Sequence, residues 1–410
     1  MKRRVVITGL GIVCPIGNDK EEVWKSVTEG RCGIGPITHY DPADQKVKLA
    51  GEVRDLALDD YLDKRESRKM DRYTQFAMVA ARQAMTDSGL QELDESRDRW
   101  GVIMSSGIGG ISTIEKEKVR GMEKGYDRVS PHFIPMSIAN MAAGQIAIAY
   151  GLHGMCTSIV TACASAANAI GDSFRHICDG YGDVMVAGGS EAAITPLCIG
   201  GFTSLKAMTS ATDPNRASIP FDAERSGFVM GEGAGALILE EYEHARKRGA
   251  HIYAEIVGYG ANCDAYHITA PSPDGTGAEQ CMRLSMEDAE ITPADVDYIN
   301  AHGTSTKMND SCETAAIRRI FGEDTKRIRV SSTKSMTGHL LGASAAVEAV
   351  ITAEAVQNDF LPPTVNYQVP DPECDLDVVP GKGYSHQIRY ALSNSFGFGG
   401  HNATLVFKKA

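Results

Sequence analysis

The stretch that most constrains this chain is Thr157-Ser-Ile-Val-Thr-Ala-Cys163-Ala-Ser-Ala-Ala-Asn-Ala-Ile-Gly171. Beyond the cysteine the run is mostly Ala, Ser and Gly. Side chains that small let neighbouring backbones come close, which predicts a tightly packed helix buried among other elements. The preceding Ser158-Ile-Val-Thr161 is β-prone, so a strand feeds a thiol placed at a helix N-terminus. There the unpaired N–H groups and the positive end of the dipole favour the thiolate, the form that attacks carbonyl carbon. A buried structural cysteine fits the same pattern, because most free cysteines pack as small apolar groups. Cys163 therefore takes its meaning from what else the chain supplies.

The rest of the chain repeats one form, an apolar strand closed by glycine. Arg4-Val-Val-Ile-Thr8 runs into Gly9-Leu-Gly11, Trp100-Gly-Val-Ile-Met104 into Ser105-Ser-Gly-Ile-Gly-Gly110, and Asp183-Val-Met-Val-Ala187 into Gly188-Gly189. Ala254-Glu-Ile-Val257, Val296-Asp-Tyr-Ile-Asn300, Ile328-Arg-Val-Ser-Ser332 and Ala403-Thr-Leu-Val-Phe407 continue the pattern. Helical segments lie between these runs, which predicts a layered α/β architecture. Gly9-Leu-Gly11 is not a dinucleotide fingerprint, because its third glycine would fall at Cys14. A strand, Thr161-Ala-Cys163 and an Ala-rich helix are echoed by a strand, Ser331-Ser-Thr-Lys334 and Gly342-Ala-Ser-Ala-Ala-Val-Glu348. The echo points to two related halves whose helix starts face one centre. A polar helix end at Lys247-Arg-Gly-Ala250 sets the joint, dividing the chain into 1–250 and 251–410.

With 410 residues and 43% hydrophobic side chains the chain can bury a large core. Its net charge of −12 argues against a general nucleic-acid or anionic-membrane surface. The ten cysteines form no C-x-x-C pair and no regular metal spacing, so they read as reduced thiols of a cytoplasmic protein. The segment from Met1 enters a strand directly, without the apolar core of a signal peptide, and no run reaches the ~20 apolar residues of a membrane span. One charge run stands against the acidic background: Arg65, Arg68, Lys69 and Arg72 share one face of a helix predicted over 61–72. Such a stripe is either a solvated face or a dock for an acidic partner.

Two stretches put a histidine among residues too small to bury it. His302, in Asn300-Ala-His302-Gly-Thr304-Ser-Thr306, follows a strand and should sit at its carboxyl end, where α/β proteins keep their sites. His339 follows Lys334 in Ser332-Thr-Lys334-Ser-Met-Thr-Gly338-His339, ahead of an apolar helix. In a fourth stretch, Asn394-Ser-Phe-Gly397-Phe398-Gly-Gly400-His401-Asn402, the glycines mark positive φ or close approach to a ligand. Free N–H groups there suit an oxyanion, although an ordinary turn before the last strand reads the same way.

Together these four stretches resemble the β-ketoacyl-acyl-carrier-protein synthases, condensing enzymes with a Cys-His-His triad, and the similarity runs from Arg4 to the final strand. It is greatest to the elongating, synthase II branch. The resemblance implies a thiolase-like fold of two pseudo-symmetric βαβαβαββ halves in five layers, α-β-α-β-α. It implies that Cys163 takes an acyl chain as a thioester and that its own N–H and that of Phe398 form the oxyanion hole. His302 and His339 would hold the thioester oxygen of a malonyl-carrier protein as carboxylate leaves, oriented by Lys334 with Glu348 as its partner. Thr304 and Thr306 match positions that meet a phosphopantetheine arm. Ile108 and Phe202 match an acyl pocket that Phe133 borders from a second subunit; each is also the kind of residue that fills ordinary core. Arg65, Arg68, Lys69 and Lys206 match the dock for acyl carrier protein, and a homodimer follows by the same likeness. No metal or redox cofactor is needed.

Rival readings lose a required residue. A thiolase needs a second cysteine in the glycine loop, a priming synthase has asparagine where His339 stands, and a chain-length factor lacks the nucleophile. A cysteine hydrolase uses Cys163 and one histidine but leaves the second histidine and Lys334 idle. A ketosynthase of a polyketide pathway is the alternative, ahead of a thiolase or a cysteine hydrolase.

Overall fold

The computed structural model describes residues 2–410. Val5–Val13 (β1) is buried along its whole length, which requires cover on both faces of the sheet it joins. The other strands of that sheet are Trp100–Ser105 (β2), Cys156–Thr157 (β3), Val184–Glu191 (β4), Gly233–Glu241 (β5), Ala254–Cys263 (β6), Tyr298–Asn300 (β7), Arg329–Ser331 (β8), Tyr390–Gly397 (β9) and His401–Lys408 (β10). They lie side by side in the order β8-β7-β9-β10-β6-β1-β5-β4-β2-β3.

Reading outward from the central antiparallel pair β1–β6, each half follows one plan. Its first strand lies innermost, followed by its fifth, fourth, second and third. The outer three strands of each half are parallel and the inner pairs antiparallel. The internal repeat read from two short motifs thus extends through all ten strands.

Helices cover the sheet in layers. Arg72–Ser88 (α1) packs on β1, β5 and β4, with Met141–Tyr150 (α2) beside it over β2. Ser165–Cys178 (α3) and Ser344–Asn358 (α6) touch each other and both halves of the sheet, so they form the middle layer. Thr276–Asp288 (α4) covers β6 and β10 from the far side, with Lys307–Phe321 (α5) against it. The expected five layers are present. The helix opened by Cys163 is buried as expected, and α6 is buried from Ser344 through Val356. Each middle helix follows the third strand of its half, so both helix starts meet at the centre of the molecule.

Three local expectations are corrected. Gly9, Gly11, Gly188 and Gly189, read as strand ends, lie inside strands, and helices come down on Gly9, Gly11 and Gly189. A Cβ on Gly11 would stand 1.9 Å from the Ala80 carbonyl oxygen of α1. The strand expected over Ser158–Thr161 stops at Thr157, since β3 is an edge strand and the chain must then leave the sheet to reach Cys163. The helix expected over 61–72 is broken. A single turn spans Lys64–Ser67, and Asp71 then caps the new helix α1. Arg72 leaves the stripe, its Nη2 donating to the buried Glu232 at 2.7 Å. Among the described residues no helix is long and apolar enough to cross a membrane.

Candidate active site

Cys163 lies in the turn Ala162–Ala164 that leads into α3. Ala162 is forced to φ +50°, a conformation that costs a non-glycine residue free energy and persists only where packing holds it. Here the Ser165 hydroxyl donates to the Ala162 carbonyl at 2.6 Å and accepts the Thr161 N–H at 2.9 Å. The turn brings the Cys163 sulfur to 3.1 Å from Nε2 of His339.

His339 reaches this point from the opposite half. After β8, a short helix Lys334–Thr337 ends at Gly338, and the chain turns through His339 into α6. Its Nδ1 lies 2.8 Å from the Ser344 hydroxyl on the first turn of that helix. A hydroxyl can donate or accept, so Ser344 tolerates either tautomer of the ring.

His302 sits, as expected, just beyond the carboxyl end of β7. Its ring stands 5.4 Å from that of His339, at 85°. The loop is held by the Glu313 carboxylate on α5, which accepts the N–H groups of His302 and Gly303 at 2.9 Å each.

The glycine loop completes the arrangement. Gly399 and Gly400 have φ of +84° and +75°, the left-handed conformation the sequence suggested. Gly397 allows close approach, for a Cβ there would lie 2.8 Å from the Thr161 carbonyl oxygen. The N–H groups of Phe398 and Cys163 both interact with the Cys163 sulfur.

Electrostatics separates these groups. Burial and the Lys334 ammonium hold His339 well below the usual imidazole range, and burial, Lys334 and His339 do the same for His302. Both rings are therefore neutral near pH 7. Burial pushes the Cys163 thiol up to about 11, against the downward pull of Lys334 and the Phe398 N–H. This corrects the expectation of a favoured thiolate. The helix start and the cation are outweighed by desolvation, so the resting group is a thiol hydrogen-bonded to a neutral imidazole. Lys334 pairs with Glu348, both essentially inaccessible to solvent, and burial lifts the Glu348 carboxyl to about 7 despite that ammonium.

These residues share a cavity of about 540 Å³. Cys163, His302, His339 and Phe398 line it, together with Thr304, Thr306, Phe202 and Lys206. The hydroxyls of Thr304 and Thr306 lie 2.9 Å apart. Lys334 and Glu348 are absent from the lining, and Lys334 is within electrostatic reach of both histidines. Ile108 is half-buried in an apolar cluster with Phe202, Phe228 and Leu341, next to the cavity. Phe133 is outside the lining, at the start of the short helix Phe133–Ser137. Arg65, Arg68 and Lys69 are exposed, with Lys69 pairing to Glu66 at 2.7 Å, and Lys206 is exposed at the cavity mouth.

Sequence reasoning missed Glu313, Ser344 and Phe228, whose ring packs edge-on against His339 at 5.4 Å. The one signal for Ser344 was the echo of Ser165 at the matching point of the other half.

A buried thiol, two neutral imidazoles and two amide donors on a doubly repeated α-β-α-β-α frame define a thiolase-like ketosynthase. The sequence profile described as "Beta-ketoacyl synthase, N-terminal domain" matches residues 2–245, and "Beta-ketoacyl synthase, C-terminal domain" matches 253–368. The chain belongs to the beta-ketoacyl synthase family. It is 52% identical to 3-oxoacyl-[acyl-carrier-protein] synthase 2 of Synechocystis sp., over all of this chain and 98% of that one. It is 51% identical to the Staphylococcus aureus protein of the same name, over 99% and 98%. Among solved structures, a type II PKS ketosynthase in complex with its acyl-carrier protein superimposes with a TM-score of 0.92 at 38% identity, each chain fully covered. A beta-ketoacyl synthase from Burkholderia phymatum does so at 0.92 and 35%, again with full coverage.

Proposed function

We propose that this chain is a β-ketoacyl-acyl-carrier-protein synthase of the elongating, synthase II type. The single observation that carries the proposal is the 3.1 Å approach of His339 Nε2 to Cys163 Sγ, with the His302 ring against His339 in the same cavity.

In the first half-reaction Sγ attacks the thioester carbonyl of an acyl-carrier protein as its proton passes to His339 Nε2. The carbonyl oxygen, now an anion, takes the N–H groups of Cys163 and Phe398. Collapse forms acyl-Cys163, breaks the bond to the carrier thiol, and returns the proton to that thiol. In the second half-reaction a malonyl-carrier protein enters, and its C–C bond to carboxylate breaks to release CO2. The electron pair becomes an enolate whose oxygen accepts from the neutral His302 and His339. Charge that appears only in the transition state is thus met by preorganised donors. The enolate carbon attacks the acyl-Cys163 carbonyl and expels Sγ as the thiolate, which takes up a proton from solvent to restore the thiol, and a β-ketoacyl-carrier protein two carbons longer is left. His339 serves in opposite tautomers in the two halves, which the Ser344 hydroxyl accommodates.

Other assignments follow from this reading. Thr304 and Thr306 meet the phosphopantetheine arm, and Ile108 and Phe202 line the acyl pocket. Phe133 reaches that pocket from the second subunit of a homodimer. The dimer is supported by the exposed Met155 and Val160 flanking edge strand β3, and by the exposed Ile134 and Ile138 near Phe133. Arg65, Arg68, Lys69 and Lys206 receive an acidic acyl carrier protein, as the related ketosynthase binds its own carrier. The division at 250/251 separates a half bearing the nucleophile from a half bearing both histidines. A cytoplasmic placement fits ten free cysteines and a carrier-borne substrate.

Incubation of the purified protein with acyl- and malonyl-carrier proteins tests the proposal. A β-ketoacyl product two carbons longer supports it, and thioester hydrolysis without a new carbon–carbon bond overturns it.

A further inference from the structure

The turn that presents Cys163 has a twin. Leu341, at φ +49°, precedes Gly342 in the turn Leu341–Ala343, and α6 then starts at Ser344, just as Ala162, Cys163 and Ser165 are arranged in the other half. At the point of the twin turn that matches the Cys163 N–H, the Gly342 N–H donates to Oε2 of Glu191 at 3.0 Å. Glu191 ends β4 with 0% of its surface exposed.

Its carboxylate takes four hydrogen bonds, all from neutral donors. Oε2 also accepts the Gly107 N–H at 2.8 Å, while Oε1 accepts the Ser106 hydroxyl at 2.9 Å and the Ile108 N–H at 3.2 Å. The two loops so joined touch backbone to backbone. A Cβ on Gly342 would stand 2.2 Å from the Gly107 nitrogen, and one on Gly107 would stand 2.8 Å from Glu191 Oε2. One loop carries Ile108, and the other begins three residues earlier at His339. Ile108 and Leu341 belong to one apolar cluster. Neither loop can shift without changing the hydrogen bonds of the other, because one rigid carboxylate serves both.

We propose that Glu191 is a positioning residue that couples the Ile108 wall of the acyl pocket to His339. An acyl chain pressing on Ile108 then adjusts, through that carboxylate, the ring that must hold the malonyl thioester. The inference rests on the function proposed above for the reaction it serves. Burial lifts the Glu191 carboxyl to about 7 against its hydrogen-bond donors, and in its ionised form it adds a smaller upward pull to the burial that raises the Cys163 thiol.

A double-mutant cycle between Ile108→Phe and Glu191→Gln, in a Cys163→Gln background and read by CO2 release from malonyl-carrier protein, tests the coupling. Ile108→Phe is expected to lower the rate about fivefold with Glu191 intact and to have little further effect in the Glu191→Gln protein. Equal effects in both backgrounds overturn the proposal. Should Glu191→Gln fail to fold, the Ile108→Phe comparison decides alone, and an unchanged rate overturns it. The same cycle with Cys163 retained, read as the pH profile of iodoacetamide alkylation, uses no carrier substrate. There Ile108→Phe should displace the profile only when Glu191 is present, and additive displacements contradict the coupling even if the proposed reaction itself fails.

Discussion

His339 Nε2 stands 3.1 Å from the Cys163 sulfur, although the two residues belong to opposite halves of the chain and are 176 positions apart. One ring is thereby placed to take the thiol's proton and, once the sulfur is acylated, to donate to a second substrate. Decarboxylation, the first step of the second half-reaction, uses His339 but not the Cys163 sulfur. Cys163→Gln should therefore abolish acyl transfer while malonyl decarboxylation persists, as checked by CO2 release. A variant that loses both and also loses its fold would mark the cysteine as structural.

The histidines should separate in the same assays. His302→Ala should cut decarboxylation by ~10²–10³, the usual effect of deleting one donor to a developing oxyanion, and leave acylation of Cys163 within severalfold of the parent. His339→Ala should impair both. Equal losses of acylation in the two variants would contradict the assignment.

The pH dependence has a definite sign. A histidine with a depressed pKa in the folded state stays neutral as pH falls past ~6.5, where an unperturbed imidazole gains its proton. Decarboxylation by the Cys163→Gln protein should accordingly show no inflection near 6.5 and decline only at lower pH, since both rings lie well below their ordinary range. A step centred at 6.5 would mean that a ring is solvated.

Lys334 and Glu348 form a buried pair, and removing one member leaves an uncompensated group in the core. Lys334→Met should destabilise the protein by ~3–5 kcal/mol, read as a fall in denaturation midpoint. Lys334→Met with Glu348→Leu should recover most of that stability but not the full decarboxylation rate, because the ammonium that adds to burial in lowering both imidazoles is still missing.

Ile108 packs beside Phe202 and Leu341 at the edge of the cavity. Ile108→Phe should shorten the longest acyl chain accepted, measured with a series of acyl-carrier proteins. An unchanged chain-length profile removes Ile108 from the pocket.

The residues that meet in the cavity were legible in the sequence because each sits in a short local signature: a thiol before a small-residue helix, a histidine after a strand, glycines before a final strand. The layers were legible from the alternation of strands and helices. Strand ends were misplaced because glycine marks both a turn and a close helix contact, and only the packed helix distinguishes them. Gly11, under Ala80, is of the second kind. Arg72 looked like part of an exposed stripe because spacing along one helix hides the break at Asp71 and the buried Glu232 that claims the guanidinium. Glu191 and Glu313 gave no local signal at all. Their partners lie on other segments, four donors for Glu191 and, for Glu313, the His302 and Gly303 N–H groups with the Asn394 amide, and such a carboxyl in the core is indistinguishable in sequence from one on the surface. The same holds for the Cys163 thiol, whose burial outweighs the helix start that suggested a thiolate.

The most direct test of the account is peptide mapping by mass spectrometry after the protein is mixed with an acyl-carrier protein, followed by addition of malonyl-carrier protein. The account predicts an acyl thioester confined to the Cys163 peptide, discharged on the second addition with one CO2 released per β-ketoacyl product formed. An acyl group on another residue, or discharge to free fatty acid without CO2, would contradict it.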